Sequence, residues 1–353
     1  MESALPHKSR LVSLRPWVGW IFGTILLALA LFYLGRALLS NSQGPIHLIV
    51  YAFSTQEEVF TQGIFPAFEQ KWGAETGREL TIEGVFGPAE TLARQITLGA
   101  PADIAVFSNR QQVTWLQVSK VLAQDAAVHV VGSTPLVIVT RPGNPAGLTG
   151  FEDLQTAEGL NLVHPDPNTS GAGEWALLAE YGSALRETGE AAAAETQLKV
   201  IWERVRLLAP SARAGLTLFE LGAGDALITY EQDALLAAAR GVPLEIVYPA
   251  HTALAQPLAV IVDQNIERDE RQAAQAFLDF LIGAEGQQIM SRYYLRPVDD
   301  SAHGFHSLIE PFTVEELGGW ASAYSQQVKI FWQENIAPNL DLTPAPILLD
   351  SGD

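Results

Sequence analysis

From Ile46 onward the apolar positions of this chain alternate between two spacings. Ile46 to Phe53 is a β-rich run. Glu57 to Trp72 follows with helical spacing, Phe60, Ile64, Phe65 and Phe68 forming its apolar side. Leu80 to Phe86 predicts the next strand, Thr91 to Ile96 a helix ending at Gly99, Asp103 to Phe107 a third strand and Gln111 to Val121 a third helix. Such alternation predicts an α/β protein built on a largely parallel sheet covered on both faces. Ligands of such sheets collect outside the carboxyl ends of the strands, in loops that feed helices. Here those loops are Ser54-Thr55-Gln56, Phe86-Gly87-Pro88-Ala89 and Ser108-Asn109.

The pattern then changes. Val128 to Thr140 is a long β-rich run interrupted at Gly132-Ser133, which suits a crossing into a second lobe. Arg141-Pro142-Gly143-Asn144-Pro145 is turn chemistry. Leu160 to Val163 reads as a buried strand, and Gly173 to Arg204 as helix broken near Gly189. Ser211-Ala212-Arg213-Ala214-Gly215 is a loop before an apolar helix, and Ala226 to Tyr230 a strand followed at once by Glu231. Val247 to Val262, with Gln256-Pro257 inside it, predicts a return to the first lobe. Residues 272–281, 287–294 and 314–332 have helical spacing. The predicted division is 46–128 for the first part of lobe 1, 129–251 for lobe 2, 252–343 for the return to lobe 1 with the C-terminal helices, and 344–353 for a tail.

One stretch concentrates the candidate chemistry. Asp166-Pro167-Asn168-Thr169-Ser170-Gly171-Ala172-Gly173-Glu174-Trp175 joins the strand at Leu160 to a helix. Pro167 and Asn168 make the turn, and Thr169 or Ser170 is the natural N-cap. The product is a helix start with a hydroxyl and unpaired N–H groups, which suits an anion through those donors and the helix dipole. An ordinary capped helix has the same local sequence, so the stretch alone does not choose between them.

Composition narrows the classes. A net charge of −19 argues against nonspecific nucleic-acid binding. The absence of cysteine excludes disulfides, cysteine nucleophiles, thiolate metal sites and lipid attachment at cysteine. Seven histidines are scattered without metal-ligand spacing, so no metal and no cofactor is expected. His164 reads as structural rather than catalytic, and Glu174 and Glu231 as solvated or cap-stabilising. Residues 1–45 hold a basic flank, an uncharged 20-residue span from Pro16 to Gly35 and a short linker. As a helix that span matches one hydrocarbon core, with Trp17, Trp20 and Tyr33 near its ends. An uncleaved cell-membrane anchor with an extracytoplasmic domain is the preferred expectation; export after cleavage near Ser42 is the alternative.

Several motifs, in order, carry a family resemblance. Asp166 to Trp175 followed by Leu-Ala-x-Tyr-Gly-x-Ala-Leu resembles the signature of sulfate-binding solute-binding proteins of ABC importers. Phe86 to Asp103 is similar to the first-lobe binding loop and helix of sulfate and molybdate binders. Arg141 to Pro145 resembles their turn after the crossover, and Gly224 to Glu231 their Gly-Asp-Val-Leu-x-x-Trp-Glu segment. Gly283 to Gln288, Leu295-Arg296-Pro297 and Phe312 to Trp320 extend the match over most of the chain after residue 45. The resemblance implies a two-lobed, type II periplasmic-binding-protein-like fold with a ligand cleft and two crossovers, here preceded by one N-terminal transmembrane helix. It implies a monomer that binds a small oxyanion, serves permease subunits of an ABC transporter and is not an enzyme.

The resemblance also assigns residues. Ser170, Gly171 and Ala172 match the helix-start donors, with Thr169 beside them, and Ala212 matches a backbone donor of the second loop. Tyr230 stands where the family has a tryptophan that donates to the anion; packing is the other reading of this tyrosine. Ser54, beside Thr55, stands where the family has an aspartate that organises the first loop. Ala89 falls at or beside an expected serine, so lobe 1 lacks a hydroxyl there. Glu174 is expected to face solvent, leaving a donor-only site that prefers sulfate-like dianions; sulfate, thiosulfate, molybdate, tungstate and phosphate stay open. A membrane-anchored ligand sensor and an extracytoplasmic enzyme on the same scaffold are the alternatives, the latter without any sequence-identifiable base for Ser170.

Overall fold

The computed structural model describes residues 44–266, 268–298 and 304–342. The anchor expected at 16–35 and the tail at 344–353 lie outside the described residues. Among the described residues no helix is long and apolar enough to cross a membrane.

Strands β1 (Ile46–Phe53), β2 (Leu80–Gly87), β3 (Ile104–Phe107), β4 (Val128–Val130) and β11 (Leu258–Ile261) form one sheet in the order β2-β1-β3-β11-β4. β1 runs parallel to both β2 and β3, while β11 is antiparallel to β3 and β4. The second sheet has the order β12-β10-β5-β8-β6-β7, with β9 (Glu245–Val247) paired to β5. Its strands are β5 (Thr134–Thr140), β6 (Leu162–Pro165), β7 (Val205–Ala209), β8 (Ala226–Tyr230), β10 (His251–Ala255) and β12 (Glu310–Phe312). The chain passes between sheets three times: from β4 to β5 through residues 131–133, from β10 to β11 through Gln256-Pro257, and once more between β11 and β12, one crossing beyond the two expected from the sequence.

Alternation along each strand builds the layers. Ile46, Leu48, Val50 and Ala52 of β1 face one apolar cluster, and Tyr51 faces another with Phe107 and Leu92. Leu136 and Ile138 of β5 join the first cluster, whereas Val137 and Val139 belong to a third. One face of each sheet thus shares a continuous core, and the opposite faces carry separate ones.

The helices that matter for function are the helical segment 54–76 (α1), α2 (Ala89–Thr97), α3 (Arg110–Val118), α4 (Gly171–Thr188), α5 (Ala191–Trp202), α6 (Ala212–Glu220) and α7 (Glu231–Ala239). They start at strand carboxyl ends, except α5, which follows α4 directly. Several boundaries differ from the sequence expectation for a backbone reason. α3 ends at Val118 rather than Val121 because Lys120 takes φ 63°, and Gly189, at φ 73°, separates α4 from α5 as expected. The predicted helix 314–332 is interrupted at Gly318 and Gly319, both at positive φ.

Glu231 corrects an expectation. It is fully buried, and its two oxygens take Nε and Nη2 of Arg296 at 2.6 and 2.7 Å. Arg296 also donates to the His306 carbonyl over 2.8 Å. Helical periodicity cannot tell a buried first-turn acid from an exposed one when its partner lies 65 residues away.

Candidate functional site

Six strand ends converge on one small cavity. It is lined by Phe53, Ser54 and Thr55 after β1, Pro88 and Ala89 after β2, Ser108 after β3, Ser170 to Ala172 after β6, Ser211 and Ala212 after β7, and Tyr230 at the end of β8. The first three groups come from one sheet and the last three from the other. The cavity is small and enclosed by these residues, on the scale of one tetrahedral oxyanion and too small for an organic solute.

Helix starts supply the donors. Ser170 caps α4, its Oγ accepting from the Ala172 N–H at 3.2 Å, and Ser211 caps α6, accepting from Ala214 at 3.1 Å. The leading N–H groups of α2, α4 and α6 lack partners within their own helices and lie at the cavity wall. Gly173 allows α4 to start so close to the preceding turn: a Cβ there would sit 2.5 Å from the Pro165 carbonyl oxygen. At Gly171 a Cβ would overlap Ser108 Oγ of the opposite lobe.

Two buried hydroxyls of the cavity wall, Ser108 Oγ and Tyr230 OH, have no partner among the described residues other than each other. Tyr230 also packs edge-on against Phe53 at 6.1 Å, so its ring belongs to the core while its hydroxyl faces the cavity. Burial raises its phenol above the ordinary value and keeps it a donor. In the sequence Ser108 is legible only as part of a loop after a strand. It brings a hydroxyl from lobe 1 where Ala89 has none.

The two sides are in direct contact. Trp175 Nε1 donates to the Ser108 carbonyl at 2.9 Å, Thr55 Oγ1 to Asp233 Oδ2 at 2.7 Å, and Gln56 Nε2 to Gln232 Oε1 at 2.8 Å. Arg240 pairs with Glu58 at 3.1 Å near the rim. This is a shut cleft. Thr55 therefore commits its hydroxyl to Asp233 and leaves its backbone to the cavity. Arg213 stands 3.7 Å from the other Asp233 oxygen, which neutralises it within the wall.

Of the residues singled out from sequence, Ser54, Thr55, Ala89, Ser170, Gly171, Ala172, Ala212 and Tyr230 line the cavity. Thr169 does not: its hydroxyl donates to the Pro210 carbonyl at 3.2 Å and ties two loops together. Phe53, Pro88, Ser108 and Ser211 line it as well. Glu174 is the second correction. It is fully buried rather than solvent-facing, and its Oε2 accepts from Asn109 Nδ2 at 2.6 Å. Local pattern places it in the first turn of α4 but cannot name the partner from the other lobe that α4 packs against. His164 lies in the lobe 2 core, its Nε2 3.5 Å from Glu180 and its ring against Trp202, consistent with a structural role.

A two-sheet α/β receptor with a closing cleft and an anion-sized cavity is the class that fold and site define. The chain matches the family described as bacterial extracellular solute-binding protein over residues 48–296, and it belongs to that family. It is 30% identical to the sulfate-binding protein of Salmonella typhimurium over 299 residues, which cover 79% of this chain and 88% of that protein. It is 33% identical to the thiosulfate-binding protein of Pseudomonas aeruginosa, with 66% and 73% covered. The solved structure of the sulfate-binding protein SubI from Mycobacterium tuberculosis H37Rv superposes with a TM-score of 0.73 at 26% identity, covering 80% of this chain and 99% of that one.

Proposed function

We propose that this protein is the extracytoplasmic receptor of an ABC importer and captures a small oxyanion of the sulfate class in its interlobe cleft. The observation that carries the reading is the shut, oxyanion-sized cavity, walled by helix starts and hydroxyls, with no charged side chain among its described lining residues. Backbone N–H groups at Ser54, Thr55, Ala89, Gly171 and Ala212, with the hydroxyls of Ser108, Ser170 and Tyr230, form the ligand set, and Ala172 lines the site while its N–H holds the Ser170 cap. Such donors replace the hydration of an anion without a counter-charge, as at other helix N-termini. With no carboxylate among those lining residues, a phosphate proton has only hydroxyl oxygens to accept it, which favours a fully ionised anion. The names of the sulfate- and thiosulfate-binding relatives agree with this class.

In this reading the two sheets belong to opposite lobes, with β10 and β12 on the side of the second sheet, and the crossovers between them act as the hinge. The span 16–35 anchors a monomeric receptor to the membrane beside its permease.

A thermal-shift panel of sulfate, thiosulfate, molybdate, tungstate and phosphate tests the assignment. A bound anion at about 100 times its dissociation constant stabilises by about 2.7 kcal/mol. Sulfate or thiosulfate is expected to give the largest shift. A panel in which no anion moves the unfolding midpoint removes the reading.

A further inference from the structure

Two buried glutamates beside the cavity have no part in that ligand set. Glu90 is the second residue of α2 and Glu174 the fourth of α4, so they come from opposite lobes; they are 2% and 0% exposed. Each gives one oxygen to α3 and the residue that caps it. Gln112 Nε2 donates to Glu90 Oε1, and Asn109 Nδ2 donates to Glu174 Oε2 at 2.6 Å, with Gln112 Nε2 3.4 Å from that same oxygen. The other oxygens, Glu90 Oε2 and Glu174 Oε1, meet no donor among the described residues, and the one Gln112 amide nitrogen that reaches both carboxyls sets them side by side.

Among the described residues no cation is in contact with the pair. Arg94, one turn along α2, acts on Glu90 only at longer range. The other titratable groups that feel the pair are the phenols of Tyr230, at the end of the strand before α7, and Tyr324, in the C-terminal helical segment, both raised by burial and by the two glutamates. Two ionised carboxylates in contact without a cation repel strongly. One shared proton makes a donor of one orphan oxygen and an acceptor of the other, and satisfies both.

We propose that Glu90 and Glu174 couple closure of the cleft to the uptake of a proton, so that the receptor takes in a proton together with its anion. The pair itself is read from the interlobe geometry; the identity of the anion rests on the function proposed above. The coupling bears on selectivity. Both carboxyls sit in the first turn of helices whose N-termini face the cavity. Ionised, they would draw on the same positive helix ends that the anion needs. With a proton between them, those ends are left to the ligand.

The sign follows from burial. In an open, hydrated cleft each glutamate ionises near the ordinary value of about 4.3. In the shut cleft burial raises both, Glu90 to about 8. Closure is therefore most favoured below the open-state value, and that advantage is lost as pH rises toward about 8. One proton corresponds to a fall in affinity of up to about tenfold per pH unit inside that window.

Calorimetric titration of the full chain with sulfate, which carries no proton of its own at neutral pH, reads this directly. In buffers of different ionisation heat the parent protein is expected to take up about one proton per sulfate between pH 6 and 7. Glu174→Gln and Glu90→Gln should each abolish the uptake and flatten the pH dependence, because the new amide can donate to the remaining carboxylate as the shared proton did. Sulfate affinity that is equal at pH 5.5 and pH 8 in the parent, or uptake that survives both substitutions, overturns the proposal and leaves the oxyanion reading standing. The unfolding midpoint without anion supplies the second readout: Glu174→Gln should raise it at pH 8 and leave it near the parent value at pH 5.5. That pattern in a protein that binds no sulfate would overturn the oxyanion reading and keep the acid pair; absence of both effects overturns both.

Discussion

Gly171 and Ser108 meet across the cleft with no room between them. Gly171→Ala places a methyl group on Ser108 Oγ. The hydroxyl has to rotate away or the lobes have to stop short, and either outcome removes a donor from the cavity. Sulfate affinity is expected to fall tenfold or more, since a hydrogen bond to a charged group is worth about 1.5–3 kcal/mol; titration calorimetry checks it, with the unfolding midpoint of the anion-free protein nearly unchanged. Ser108→Ala should lose a similar amount without any steric change. Glu231 and Arg296 illustrate the opposite case, a buried pair that is not part of the cavity lining. Glu231→Ala strands a buried guanidinium, and chemical denaturation should show a loss of about 3–5 kcal/mol. Replacing both partners by apolar residues of similar volume should cost much less.

At the scale of elements, each helix start has a structural and a binding duty, and the two separate by measurement. Ser211 Oγ is engaged by Ala214. Ser211→Ala is expected to cost about 1 kcal/mol of stability through the lost cap, read by denaturation. Ser170→Ala loses a comparable cap and also a hydroxyl in the cavity wall, so its anion affinity should drop by a further tenfold or so. The positions of these caps are legible in the local pattern alone, because Ser or Thr after a strand and ahead of an apolar helical run has few other uses. Which of two adjacent hydroxyls faces the ligand is not legible there. Thr169 and Ser170 are equivalent in the pattern, and only the Pro210 carbonyl, on another loop, takes Thr169 out of the site.

For the whole molecule, the interlobe contacts at Thr55–Asp233, Gln56–Gln232 and Trp175–Ser108 belong to a shut form. Opening exchanges these bonds for water, so the anion has to bias a balance that is not strongly set in advance. Small-angle scattering should report a smaller radius of gyration on sulfate addition, as expected of hinge closure; an unchanged radius with a tightly bound anion argues against it. Membrane fractionation of the full chain tests the anchor, with residues 1–10 retained on the membrane-bound protein. A soluble product that begins near Gln43 would instead establish cleavage.

The strand and helix order, the crossings at 131–133 and 256–257 and the helix starts that meet at the cavity are written in the sequence, whereas the further crossing to β12 is not. Each legible feature depends on local chemistry: alternation within a strand, a glycine at positive φ, a serine at a cap. The family resemblance points to the lobed fold and most lining residues because its motifs fall at those same helix starts. The tertiary structure decided what depends on a distant partner. It turned Glu174 from the solvent toward Glu90 and Asn109, joined Glu231 to Arg296, and brought Ser108 of one lobe against Gly171 of the other. A side chain's charge state and its ligand follow from what packs against it. For Glu174 with Asn109, and for Glu231 with Arg296, that partner lies 65 positions away in the chain, beyond the reach of any local pattern.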